Sequence, residues 1–141
     1  MAIGDVGQSR LEEVALVPIA KVKGSNFGWP AYEGSRPYDP SKPGPGKPVF
    51  PMFTYLHTGD LCAIIGGMVV HDPQLTGLNG RYIYGDLCTG EIRSFVPDVA
   101  QQKVKDDRPV GLTLPIITTF GAGRNGQIYI SANGTVYRLE P

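Results

Sequence analysis

Short apolar, strand-forming runs bounded by glycine-centred turns punctuate the polar stretches of this chain, and the unit recurs. Gly80-Arg81-Tyr82-Ile83-Tyr84-Gly85-Asp86 and Gly126-Gln127-Ile128-Tyr129-Ile130-Ser131 each begin at an Asn-Gly, and the two Asn-Gly pairs lie 46 residues apart, at Asn79 and Asn125. Each run turns into a second strand, Glu91-Ile92-Arg93-Ser94-Phe95 in one copy and Thr135-Val136-Tyr137-Arg138-Leu139 in the other. A fainter copy, Ile3-Gly4-Asp5 followed by Glu13-Val14-Ala15-Leu16-Val17, opens the chain. Between Ile128–Ala132 and Thr135–Leu139 stands Asn133-Gly134, a pair suited to a type I′ turn because both central residues must take positive φ. Several short strands repeating about every 45 residues is the spacing of β-propeller blades, which bury their two faces only by stacking on neighbours.

With the strands of a blade lettered A to D from the inside outward, Ala63–Val70 and Pro115–Phe120 read as A strands. Gln101–Gly111 and Lys47–Leu56 read as outer D strands, where charges and prolines are tolerated because one edge needs no ladder partner. The chain then runs B-C-D, A-B-C-D, A-B-C. The expected fold is all-β, a partial propeller of about two to two and a half blades forming one incomplete segment over residues 1–141. Residues 1–56 form a partial blade, 57–111 a complete one and 112–141 another partial one. Lys23–Gly46, with prolines at 30, 37, 40, 43 and 45, is a long connection with little capacity for helix or strand. Ser9-Arg10-Leu11-Glu12 has the form of a capping box and offers a short helix as the alternative to a strand there, although Pro18 would cut it short.

Composition narrows the partners. Thirteen basic and thirteen acidic residues cancel and no Lys/Arg cluster stands out, so nothing favours nucleic acid or an anionic membrane surface. No apolar run is long enough to span a bilayer, and the N-terminus carries no signal-peptide pattern. A small molecule, a sugar among the candidates, or another protein surface remains. The two cysteines flank an A-B hairpin. If Val70 lies opposite Gly80, Cys62 faces Cys88, at the Cα separation a disulfide requires; the alternative is a reduced, buried pair. A bridge points to a periplasmic or secreted protein.

Taken together, these segments resemble the C-terminal part of the soluble sugar dehydrogenases that depend on pyrroloquinoline quinone (PQQ), the glucose/sorbosone dehydrogenase family. The resemblance is carried by Gly4-Asp5-Val6-Gly7-Gln8 with Glu12-Glu13-Val14, Ser25-Asn26-Phe27-Gly28-Trp29-Pro30 with Glu33-Gly34, and Tyr55-Leu56-His57. It continues through Cys62-Ala63-Ile64-Ile65-Gly66-Gly67-Met68-Val69-Val70 and Gly80 to Ile92. It implies a six-bladed propeller, with cysteines similar to those of members related to the hedgehog-interacting protein. It also implies an aldose oxidised at C1, with PQQ and calcium as cofactors.

The resemblance further marks Val6, Gly7 and Gln8, on a loop whose carbonyls hold the cofactor's calcium, and Asp5, Glu12 and Glu13 as acidic metal ligands. Adjacent strand carboxylates point to opposite faces, so at most one of Glu12 and Glu13 is expected to be inward. His57, on a D-A connection, is a candidate ligand contact, while His71 heads a turn at Asp72-Pro73. Neither histidine matches the family's catalytic motif, so no catalytic residue is assigned. Leu61–His71 and Leu112–Gly123 contain no Lys or Arg to grip a carboxylated quinone. Trp29 fits loop packing, and Asn133-Gly134-Thr135 has the form of a glycosylation sequon that the tight turn also explains. The expected function is a propeller segment without autonomous catalysis. Its rivals are a piece of a longer active dehydrogenase and a non-catalytic module that self-associates through open blade edges.

Overall fold

A computed structural model describes residues 1–141. Twelve strands form three blade-like antiparallel sheets and one two-stranded ribbon. The first sheet contains β1 (Ala2–Asp5), β2 (Leu11–Leu16) and β5 (Phe53–Leu56), in that spatial order. The second is a full blade of β6 (Ile64–Val69), β7 (Tyr82–Asp86), β8 (Glu91–Asp98) and β9 (Lys103–Thr113). The third holds β10 (Ile117–Ala122), β11 (Ile128–Ala132) and β12 (Thr135–Arg138). The ribbon pairs β3 (Tyr32–Glu33) with β4 (Arg36–Pro37) inside the long connection. The three sheets thus have three, four and three strands, the order read from the repeat.

Period-two alternation explains why β7 is buried throughout. Tyr82 and Tyr84 pack toward the first sheet, in a cluster with Val14, Leu16, Met52, Ile64 and Phe95. Ile83 faces the other way, into a second cluster with Val70, Ile92, Ile117, Phe120, Ile128 and Ile130. A central blade covered on both faces therefore reads as a continuous apolar run, and its two faces supply the two cores.

Ile64 pairs with Asp86 and Ile65 with Gly85; a register shift at Gly66-Gly67 then places Met68 opposite Ile83. Gly67 is confined there, since a Cβ would lie 1.6 Å from the Ile83 carbonyl oxygen. The predicted facing of Cys62 and Cys88 is present as a disulfide with Cα atoms 5.7 Å apart. The tip of the last hairpin takes positive φ at Asn133 (47°) and Gly134 (75°), as a type I′ turn demands.

Two local expectations are corrected, and one alternative is set aside. Of Lys47–Leu56 only Phe53–Leu56 is strand, because Pro48 and Pro51 lack the N–H a ladder needs. The outer strand expected at Gln101–Gly111 runs from Lys103 to Thr113. No helix starts at Ser9. The backbone N–H groups of Ser9, Arg10 and Leu11 instead donate to the Glu33 carboxylate at 2.7, 2.7 and 3.2 Å. An acidic side chain far along the chain thus gathers the donors that a helix N-terminus would present. The single helical turn is 3-10, at Ile19–Lys21.

The long connection covers the far face of the first sheet, the face turned away from the second blade. Phe27, Val49 and Pro51 lie against Ile3 and Ala15, and Gly34 sits over Leu11. This cover explains a further departure: Glu12 (0% exposed) and Glu13 (9%) are both buried, although they point to opposite faces. One is covered by the next blade and the other by the chain's own loop.

Candidate functional site

The turn between β1 and β2 and the covering loop enclose a cavity of about 330 Å³. Asp5, Val6, Gly7 and Gln8 form one side with Glu13, and Phe27, Trp29 and Tyr32 form the other. Antiparallel pairing sets Asp5 directly across from Glu13. The turn needs glycine at position 7, where a Cβ would fall 1.7 Å from the Leu11 carbonyl oxygen. Trp29, half exposed, packs at a tilt of 33° against Tyr38 with ring centroids 5.0 Å apart. The Trp29–Pro30 peptide is cis.

Burial is the main cause that pushes the Glu13 carboxyl up to about 7, opposed by the Gly34 N–H it accepts and reinforced by Asp5, Glu33 and Glu12. The cavity therefore pairs an exposed aspartate with an acid poised near neutrality. Glu33, just outside it, behaves oppositely: burial raises its carboxyl, but the donors from Ser9, Arg10 and Leu11 outweigh that and leave it below the usual range.

Five of the residues marked from sequence, Asp5, Val6, Gly7, Gln8 and Glu13, line this one cavity. Glu12 and His57 do not. Glu12 points to the opposite face, where it meets His57 Nε2 and accepts the Gly7 N–H at 3.2 Å and the Ile64 N–H at 2.7 Å. Its oxygens bind the first sheet to the second and hold the β1–β2 turn. His57 is engaged with Glu12 rather than aimed into the cavity.

Calcium takes six to eight oxygen ligands. No group of three or more His, Cys, Asp or Glu side chains converges as a metal site, and the cavity offers two carboxyl groups with the backbone of one turn. A quinone with several carboxylates would meet two acids and no Lys or Arg in this lining. By themselves the residues present do not fit PQQ or an all-protein calcium site.

The sequence pattern did not expose the organising role of two acids. Glu33 was visible only as part of Glu33-Gly34. Asp86 closes the loops beside the disulfide, accepting from the Tyr55 hydroxyl (2.9 Å) and from the N–H groups of Cys62, Ala63, Cys88 and Thr89. Burial raises the Asp86 carboxyl, but these donors prevail and hold it below its ordinary value. The aromatic wall of Phe27 and Tyr32 was likewise unassigned, because nothing local to their segment points to Asp5 or Glu13.

Comparison with known proteins agrees with this architecture. No protein-family profile matches the chain. The HIPL1 protein of Arabidopsis thaliana is 31% identical over an alignment of 166 positions, gaps included, spanning 96% of this chain and 23% of that protein. A solved glucose dehydrogenase superimposes with a TM-score of 0.65 at 16% identity, over 98% of this chain and 39% of its own. A soluble aldose sugar dehydrogenase from Escherichia coli, in its apo form, gives a TM-score of 0.65 at 18% identity, over 99% and 40%. The chain therefore spans about a quarter of the curated relative and two fifths of the solved dehydrogenases, and its fold is part of their propeller.

Proposed function

We propose that this chain, which carries part of the soluble sugar-dehydrogenase propeller fold and is similar in sequence to HIPL1, is a propeller segment without autonomous dehydrogenase activity. The observation that carries the reading is the chemistry of the cavity at Asp5–Gln8. It has a carboxyl pair and an aromatic wall, but no histidine base and no cation to receive a carboxylated quinone. His57, the histidine marked from sequence, is held against Glu12. The segment supplies one wall of a small-molecule site, and further blades would bring the hydride acceptor and the base. The Cys62–Cys88 bridge supports an extracytoplasmic setting, periplasmic or secreted.

In a complete ring of this fold, a quinone such as PQQ would have to be held by residues outside this chain and would supply the hydride acceptor there. The residues of this chain do simpler work. Gly7 lets the turn close on Leu11, Glu12 locks that turn to the second blade, and Asp5 and Glu13 place two carboxyl groups in the cavity. The test is to add PQQ, calcium and glucose or other aldoses to the protein and follow a redox dye. No dye reduction above the protein-free control is expected, and sustained turnover would overturn the proposal.

A second reading, assembly through open blade edges, is favoured by one asymmetry. The far face of the first sheet is covered by the chain's own loop, whereas β12 has no outer neighbour and leaves Val136 68% exposed. Association would then use the third sheet. Solution mass at high concentration checks this: a dimer supports it and a strict monomer refutes it.

A further inference from the structure

A second cavity, of about 230 Å³, lies on the other side of the Ser9–Leu11 turn, lined by Ser9, Arg10, Glu33, Arg36 and Tyr38. Both arginines are exposed, neither has an acidic oxygen within 4 Å, and neither donates a side-chain hydrogen bond. The contrast with other arginines of the chain is direct. Arg93 is held between Glu91 (2.8 Å) and Asp107 (2.7 Å), and Arg81 is bound by Ser94 and Asp106. Two guanidinium groups brought to one concave surface repel each other, and an oxyanion between them relieves that repulsion while matching their forked donors.

Glu33 balances one of the two charges, leaves the cavity a net positive charge, and lies beyond 4 Å of either guanidinium group. Its Oε1 is taken by the three backbone donors of Ser9–Leu11, and its Oε2 accepts only the Ser9 hydroxyl, at 3.2 Å. That second oxygen stands beside the cavity with capacity to accept a further hydroxyl. Tyr38, packed against Trp29, presents a half-exposed aromatic ring to the same space.

From these features we infer that Arg10 and Arg36 form a binding site for a small hydroxylated organic anion. Its carboxylate or phosphate lies between the two guanidinium groups, a hydroxyl reaches Glu33 Oε2, and its body rests on Tyr38. The position is fixed by the fold, because Arg10 leaves the β1–β2 turn and Arg36 leaves the β3–β4 ribbon, and Glu33 joins the two elements. The volume equals that of several water molecules, enough for one oxyanion group and a compact body.

Calorimetric titration of the protein with glucose 6-phosphate, glucuronate, inorganic phosphate and glucose tests the site. The expected result is binding of at least one of the two sugar anions with a Kd on the order of millimolar or tighter at low salt, weakening as ionic strength rises. Glucose should show none. Arg10→Gln and Arg36→Gln should each weaken the anion roughly ten-fold, the loss of one charge-assisted contact. Both side chains are exposed, so the variants should retain the wild-type melting temperature, and Lys23→Gln should leave affinity unchanged. Competition by inorganic phosphate would identify phosphate as the recognised group, and binding of glucuronate alone would identify a carboxylate; either upholds the site. Equal binding of glucose, undiminished affinity in the folded double variant, or no binding of either sugar anion would overturn it.

Discussion

Replacing Glu13 by glutamine removes one titration from the core of the candidate site, and its effect on stability follows from the direction of the shift. Burial raises the carboxyl from 4.5 to about 7 in the folded chain. The native state therefore holds a proton that the unfolded chain releases at lower pH. The contribution of the neutral acid is fully present below about pH 4.5 and is lost as the pH climbs through 7. At 1.36 kcal/mol per unit, the full difference is on the order of 2 to 3 kcal/mol after allowance for the side of the carboxyl that meets the cavity. Glutamine stays uncharged, preserves the shape and keeps an oxygen for the Gly34 N–H. Glu13→Gln is thus expected to match the wild type near pH 4.5 and to exceed it by about 2 kcal/mol at pH 8, roughly 6 °C in melting temperature for a chain of this length. Urea unfolding at several pH values between 4.5 and 8 measures this. Taking the difference between the two proteins cancels groups that titrate in both. A wild type more stable than the variant at pH 8, or a difference independent of pH, would refute the assignment of a buried, proton-holding acid.

Two further outcomes rest on the second blade. Reducing the Cys62–Cys88 bridge, which spans 26 residues, should destabilise the fold by about 3.5 kcal/mol on the loop-closure model, read as a lower urea midpoint with reductant; an unchanged midpoint would contradict a closed bridge. Gly67→Ala places a methyl group against the Ile83 carbonyl and should cost more than about 3 kcal/mol, whereas Gly77→Ala, with open space around it, should cost under about 1 kcal/mol; circular-dichroism melts separate the two.

The strands were legible because their signals are local. The apolar runs at Tyr82–Asp86 and Ile128–Ala132 and the Asn133-Gly134 turn act over a few residues, and a blade repeat makes each copy support the others. The facing of Cys62 and Cys88 was read from a register that holds only beyond the Gly66-Gly67 shift, where Ile64 pairs with Asp86; nearer the turn Val69 pairs with Tyr82, one residue out of that register. The candidate site was only half legible. Asp5–Gln8 and Glu13 adjoin one turn and were marked together, whereas Phe27, Trp29 and Tyr32 reach them only when the covering loop folds over the first sheet. The two faces of Glu12 and Glu13 followed from strand geometry, but which faces are buried did not.

The division between sequence and tertiary structure has a physical basis in range. The blade repeat and turn chemistry by themselves determined an all-β chain with sheets of three, four and three strands. Only the tertiary structure decided where its carboxyl groups act. Glu33 gathers donors 22 to 24 residues away, and Glu12 accepts from Ile64, 52 residues away. A buried acid must find donors wherever the fold brings them, and no local pattern records that search. The unpaired Arg10 and Arg36 are the same lesson with the opposite sign. As letters they are two surface arginines, and the turn and ribbon joined by Glu33 make them the lining of one cavity.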